Sequence, residues 1–278
     1  MDVGMTLPGR GPLAEPESLE QLSRRADELG FAYLAVPDHI VVPRRIDSRY
    51  PYSSTGDFPG SASGSCLDQF SVLSFVAAMT RHARLVTSVT VIPHRGAIET
   101  AKLVATIDVL SQGRMTLGVG AGWMREEFEA LGAPSFDQRG RVTDEYLQVF
   151  KCLWTEEAPE FDGEFVQFKN ISFLPKPLQD PHPPIWCPSQ GSFETIEWTT
   201  HPDRKYTYLN VYSPFSAVES FMSMYRQICE EDYGYEAEDH QLGLALPIYV
   251  AETNEIAAKE AKPHIESFFN KFLRIPNE

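Results

Sequence analysis

Residues 85–120 read Leu85-Val86-Thr87-Ser88-Val89-Thr90-Val91-Ile92, then a helical stretch from Ala97 to Leu110, then Gly113, then Met115-Thr116-Leu117-Gly118-Val119-Gly120. The first run is β-branched and too short for a helix of its own. The middle stretch repeats apolar residues at helical spacing, and Gly113 stops it. The last run is again apolar on almost every residue. A strand apolar on both faces, followed by a helix and another such strand, is the mark of parallel pairing with a right-handed crossover.

The same alternation extends in both directions. Val3 to Leu7 reads as the first strand. A helix follows from Ser18, with Gln21 three residues on as a capping box and Leu19, Leu22, Ala26 and Leu29 on one face. Gly30 ends it, and Phe31 to Val36 is the second strand. Cys66 to His82 reads as a helix, ahead of the third strand at 85–92 and the fourth at 115–120. Helical patterns lie near Met124 to Leu131 and Thr143 to Trp154. Residues 161–181 read as a short hairpin, turning at Asp162-Gly163, and a proline-rich insertion. Ile185 to Cys187, Lys205 to Val211 and Gly243 to Val250 are the remaining strands. Their helices start at Ser192, Ser213 and Thr253.

Repeated strand–helix units leave two architectures, an open doubly wound sheet or a closed barrel. The first turn, Pro8-Gly9-Arg10-Gly11-Pro12, lacks the G-x-G-x-x-G fingerprint of a dinucleotide fold. That favours an α/β chain of TIM (β/α)8 type in one domain, 1–278, with the eighth strand not found. The polar excursion 38–65 is long enough to serve as a lid.

The chain has 278 residues and a net charge of −15. No basic stripe is present to meet nucleic acid or an anionic membrane. No run approaches the ~20 apolar residues needed to cross a bilayer. The N-terminus lacks a signal-peptide pattern, and the four cysteines form no C-x-x-C pair. The expectation is a cytoplasmic protein with reduced thiols. The seven histidines are scattered, so no metal site is expected, and the G-x-S-x-G turn of a serine hydrolase is absent.

In a barrel, chemistry gathers where the strands end. Those positions hold Asp38 and His39; Thr87, Ser88 and Thr90, then Pro93, His94 and Arg95; Gly118, Gly120 and Trp123; Ser189, Gly191 and Ser192; and Asn210 and Tyr212. The Ser-Gln-Gly-Ser turn at 189–192 leads into a helix and offers backbone N–H groups to a phosphate. The glycines of the fourth strand admit a planar ring close to the backbone. His39 reads two ways from the residues alone. It is a loop histidine bonded to Asp38 or a neighbouring carbonyl, or a proton donor and acceptor over a substrate.

Four stretches together resemble the bacterial luciferase-like oxidoreductases, a barrel family using FMN or the deazaflavin coenzyme F420. They are Asp38 to Pro43 with Ser48 to Tyr52; Ala101 to Trp123; Arg125 to Gly132 with Arg139 to Arg141 and Asp144 to Tyr146; and Pro175-Lys176-Pro177 with His182 to Trp186. The resemblance implies a flavin ring against Thr87, Ser88, Thr90, Gly118 and Gly120, with Asp38 beside it. It places the phosphate at Ser189, Gly191 and Ser192. It makes His39 the catalytic residue, and Tyr50, Tyr52 and Trp123 the walls of a pocket for a small hydrophobic substrate. It also implies a homodimer. FMN-dependent monooxygenation comes first, deazaflavin hydride transfer second, and a non-catalytic flavin-binding relative third. A metal-dependent barrel hydrolase is the remaining alternative. Family members continue through an eighth strand, so the reading leaves the first and seventh strands as open edges.

Overall fold

The computed structural model describes residues 1–53, 55–58 and 65–272. Residues 54 and 59–64 of the expected lid lie outside the described residues. The chain gathers into two compact units, one of Met1–Arg45 and Ser63–Ile185, the other of Ile46–Ala62 and Trp186–Glu278.

In the first unit, strands β1 (Gly4–Thr6), β2 (Tyr33–Val36), β3 (Arg84–Thr87) and β5 (Met115–Gly120) pair in parallel in that order. A short strand β4 (Thr90–Val91) also pairs with β5. Register places Met5 beside Leu34, Leu34 beside Leu85, and Leu85 beside Met115. Leu34, Leu85 and Met115 are fully buried, so this row is one layer of the core. Helices α1 (Pro16–Glu28), α2 (Gln69–Met79), α3 (Ala97–Leu110), α4 (Arg125–Leu131) and α5 (Arg139–Thr155) surround the strands in sequence.

Helix ends follow local chemistry. α1 begins at Pro16, two residues before the expected Ser18. Proline is preformed for the first helical turn, and Ser18 instead donates to Glu15 Oε1 at 2.8 Å. Its other end is a Schellman stop: Gly30 has φ +80°, Gly30 N bonds Asp27 O, and Phe31 N bonds Ala26 O. α3 ends the same way with Gln112 at φ 60° ahead of Gly113. α2 starts at Gln69 rather than Cys66 because Asp68 caps it, accepting from Ser71 N at 2.8 Å.

The expected strand 85–92 is two pieces. The peptide Ser88–Val89 between them is cis. Beyond β4 the chain turns through a single 3-10 turn, Ile92–His94. The end of β4 has a visible reason: Val91 N is taken by the Asp38 carboxylate, and Pro93 has no N–H to extend a ladder.

The start of the strands is braced by carboxylates on backbone amides. Asp27 accepts from Arg81 N, His82 N and Ala83 N at 2.7–2.9 Å. Asp108 accepts from Met115 N, Leu178 N and Gln179 N. A hairpin of β6 (Phe161–Asp162) and β7 (Gln167–Phe168) follows α5. Its turn spans four residues, closed by Gly163 N on Val166 O at 2.9 Å.

In the second unit, β8 (Ile185–Ser189), β9 (Thr207–Val211) and β10 (Leu242–Ala245) are parallel. Helices α6 (Phe193–Thr200), α7 (Phe215–Gln227) and α8 (Asn254–Phe272) accompany them. Ile196, Tyr208, Tyr225, Ile228 and Cys229 form the core, and Tyr225 OH donates to Tyr206 O at 2.8 Å. β10 ends at Ala245, five residues short of the expected Val250. Pro247 interrupts it, and Ile248, Tyr249 and Val250 are exposed. Ser213 does not cap α7, whose cap position is Pro214 with no side-chain bond. Among the described residues no eighth parallel strand follows β10.

Candidate functional site

Asp38 and His39 leave β2 at its carboxyl end and take different partners. Asp38 is buried and bidentate with Arg95, at 2.8 and 2.9 Å, and also accepts from Val91 N at 3.1 Å. Arg95 reaches Asp68 at 3.2 Å as well, which links the cap of α2 to the same cluster. Burial alone would lower the Arg95 guanidinium, but Asp38 and Asp68 outweigh it and hold the group above its usual value. Both Asp38 oxygens are thus engaged by the protein itself.

His39 is bonded through Nδ1. Its partner there is Glu127, 88 residues on, with Nδ1 2.8 Å from Oε2. The other carboxylate oxygen accepts from Ile40 N at 2.9 Å and Val41 N at 3.2 Å. Glu127 sits in the first turn of α4 and its side chain is 1% exposed. Burial raises its carboxyl; the His39 bond, the two neighbouring imidazoles and the Val41 amide more than offset this and hold it below the usual carboxylate range. Gly122 sets α4 against this region. It has φ +86°, and a Cβ there would meet the Phe128 ring and Val91 Cγ1 at 2.7 Å.

His94 lies on the other side of the same carboxylate. Its Nδ1 is 3.9 Å from Glu127 Oε1, outside hydrogen-bond range. Among the described residues, neither ring nitrogen has a hydrogen-bond partner. The ring packs edge-on to Phe128, centroids 4.7 Å apart. Burial pushes this imidazole below its ordinary range, against the pull of Glu127 and Asp38.

The hydroxyls expected to meet a ring are tied to the strands. Thr87 Oγ1 donates to Gly118 O, and Thr90 Oγ1 to Gln69 Oε1, both at 2.8 Å. Gln69 in turn donates to Val36 O at 2.7 Å. A Cβ on Gly118 would overlap the Thr87 carbonyl oxygen, and one on Gly120 would meet Val89 Cγ2 at 2.8 Å. The chain's own packing therefore requires both glycines. Ser88 and Trp123 are half-buried at the ends of β3 and β5.

In the second unit, Ser189 Oγ accepts from Gly191 N at 3.2 Å and Ser192 N at 3.0 Å. Ser192 Oγ caps α6, accepting from Thr195 N at 3.3 Å and donating to Glu194 at 2.8 Å. Gly191 has φ +99° and lies so close to Phe221 that any Cβ would enter its ring. Asn210, the register partner of Ser189, is fully buried; its Nδ2 bonds Tyr208 OH at 3.0 Å and its Oδ1 has no partner among the described residues. Tyr50 and Tyr52 pack edge to face at 5.4 Å. Burial, with Cys187 and Tyr212 nearby, pushes the Tyr52 phenol up.

These residues fit a phosphate-bearing cofactor at one end. Two successive amides converge on a single oxygen at a helix start, with the Ser189 hydroxyl in the place of an anionic oxygen. Thr87, Thr90 and Gly118 hold the ends of β3, β4 and β5 through the bonds given above.

Sequence reasoning missed Glu127 and Gln69 as partners. For Glu127 a signal is available: the acidic pair Glu126-Glu127 opens a helix just after a glycine-rich strand end.

Comparison with known proteins agrees with this architecture. A family model described as luciferase-like monooxygenase matches residues 1–276. An uncharacterized protein of Mycobacterium tuberculosis is 34% identical over 176 residues, covering 63% of this chain and 62% of that protein. The FMNH2-dependent dimethylsulfone monooxygenase of Pseudomonas putida is 41% identical over 88 residues, 31% of this chain and 24% of that enzyme. The chain thus matches under two thirds of the length of these relatives. The crystal structure of the monooxygenase RslO1 from Streptomyces bottropensis superimposes with a TM-score of 0.76 at 26% identity, covering 96% of this chain and 77% of that one. With the parallel strands, the rim residues and a match over nearly its whole length, the chain belongs to the luciferase-like monooxygenase family and has that family's α/β, TIM-barrel type of fold.

Proposed function

We propose that this chain is a monooxygenase of reduced FMN that acts on a small hydrophobic organic substrate. The observation that carries the reading is the seat at the head of α6, where Gly191 N and Ser192 N converge on one oxygen. The resemblance to an FMNH2-dependent enzyme supports FMN over a deazaflavin.

In the second unit, Ser189, Gly191 and Ser192 hold the phosphate, and Tyr50 and Tyr52 line the substrate side. In the first unit, the backbone around Ser88 and Gly120 backs the ring, Thr87, Thr90, Gly118 and Asp38 keep that backbone in place, and Trp123 walls the substrate side. A bound reduced flavin supplies the electrons that activate dioxygen. His39 holds or moves a proton at its imidazole, the side chain whose ordinary pKa best suits that task near neutrality. A second copy completes the expected assembly as a homodimer.

The test is to titrate the full chain anaerobically with reduced FMN, oxidised FMN and F420, then to follow oxygen uptake across a panel of small apolar compounds. The expected result is preference for reduced FMN and substrate-dependent uptake. His39→Ala should lower that uptake by roughly 10²–10⁴-fold while leaving FMN affinity nearly unchanged. Preference for F420 without oxygen uptake would replace monooxygenation with hydride transfer. Binding without turnover would make the chain a flavin-binding relative.

A further inference from the structure

We propose that Glu127 is the positioning residue of His39, fixing its imidazole as the Nδ1–H tautomer and so assigning proton exchange with a bound molecule to Nε2. This rests on the reading of His39 as the proton-handling group, though its geometry stands without any cofactor.

Two oxygens of one buried carboxylate do separate work. Oε1 accepts from the amides of Ile40 and Val41, which cannot act as acceptors, so this oxygen carries no proton toward them. Oε2 lies 2.8 Å from His39 Nδ1. A carboxylate held ionised has only acceptor capacity, so the hydrogen on that line belongs to the imidazole. In a neutral imidazole one nitrogen donates and the other accepts. Occupying Nδ1 as donor leaves Nε2 as the basic nitrogen. The same carboxylate anchors ring and following backbone together, so the angle of the ring and the course of the loop from Asp38 are set by one group. Asp38, bound to Arg95, holds the other end of this turn.

His94 tests which imidazole Glu127 serves. It faces the same carboxylate but at 3.9 Å, makes no hydrogen bond among the described residues, and stands edge-on to Phe128. Glu127 therefore bonds His39, and His94 packs.

Nitrogen-15 NMR of the ligand-free full chain reads the tautomer directly, with the His39 signals assigned by their loss in His39→Gln. At a pH where the imidazole is neutral the wild type should show a pyrrole-like shift at His39 Nδ1 and a pyridine-like shift at Nε2. Glu127→Gln offers one oxygen to three donors, so it should abolish that single-tautomer signature. His94→Phe should leave it unchanged. An Nε2–H tautomer in the wild type would overturn the proposal, and so would a signature that survives Glu127→Gln. Should that variant fail to fold, the wild-type spectrum alone still decides. A protein that binds no flavin yet shows the Nδ1–H tautomer, lost in Glu127→Gln, would remove the proposed function and leave this inference standing.

Discussion

Burial of His94 without a partner on either ring nitrogen sets the sign of one pH dependence. In the folded chain the imidazole stays neutral to lower pH than in the unfolded chain, where it protonates near about 6.5. Below that pH the unfolded state binds more protons, so stability falls as pH falls, by at most about 1.4 kcal/mol per pH unit for one site. His182, also lowered by burial, adds the same sign. Asp27, Asp68 and Glu127 lose their contribution further down, in the carboxylate range. His94→Phe keeps an aromatic ring against Phe128 and removes the titration. Urea denaturation at pH 7.5 and 5.5 should show a smaller loss of stability for this variant than for the wild type; an equal loss would mean that His94 is charged in the folded chain.

Among the elements, β5 shows how much a strand's neighbours decide. Its pattern of small and apolar residues identifies it as a buried strand, but the reason for Gly118 lies on β3. A Cβ at Gly118 would overlap the Thr87 carbonyl, a clash between two backbones that no rotamer relieves. Gly118→Ala should lose stability at the upper end of the roughly 1–3 kcal/mol typical of overpacking. Gly140 lies in the first turn of α5, and a Cβ there would point into open space, with no atom within 4 Å. Gly140→Ala should gain roughly 0.4–1 kcal/mol, mainly by restricting the unfolded chain. Denaturant midpoints check both, and a Gly118→Ala protein as stable as the wild type would contradict the close approach of the strands. The same contrast explains what is legible in the sequence. Parallel strands, the stops at Gly30 and Gly113 and the Ser192 cap are written in local spacing. The partner of His39 is not, because 88 residues separate it from Glu127. Nor is the end of β4 at Val91, whose N–H is captured by Asp38, 53 residues earlier. Ser18 suits a cap by residue type, and Pro16 pre-empts it.

At the scale of the whole molecule, charge and apolar content speak mainly about what the chain avoids. Its −15 net charge disfavours polyanions, and no helix among the described residues is long and apolar enough to cross a membrane. Within the first unit the two ends of the sheet differ in character. Where strands start, Asp27, Asp108 and Arg114 spend their polar groups on backbone atoms, a brace with no chemistry to offer. Where they end, a carboxylate, two imidazoles and an Arg–Asp pair gather around the loop from Asp38. That asymmetry is what a barrel enzyme requires, with stability at one face and reaction at the other. The central claim is that this chain holds a reduced flavin by its phosphate. Anaerobic calorimetry with reduced FMN and reduced riboflavin tests it most directly, since the two differ only in that group. The account predicts saturable binding of one reduced FMN per chain and at least about tenfold weaker binding of reduced riboflavin, the worth of one charge-assisted hydrogen bond; equal affinity for the two, or no saturable binding of either, would contradict it.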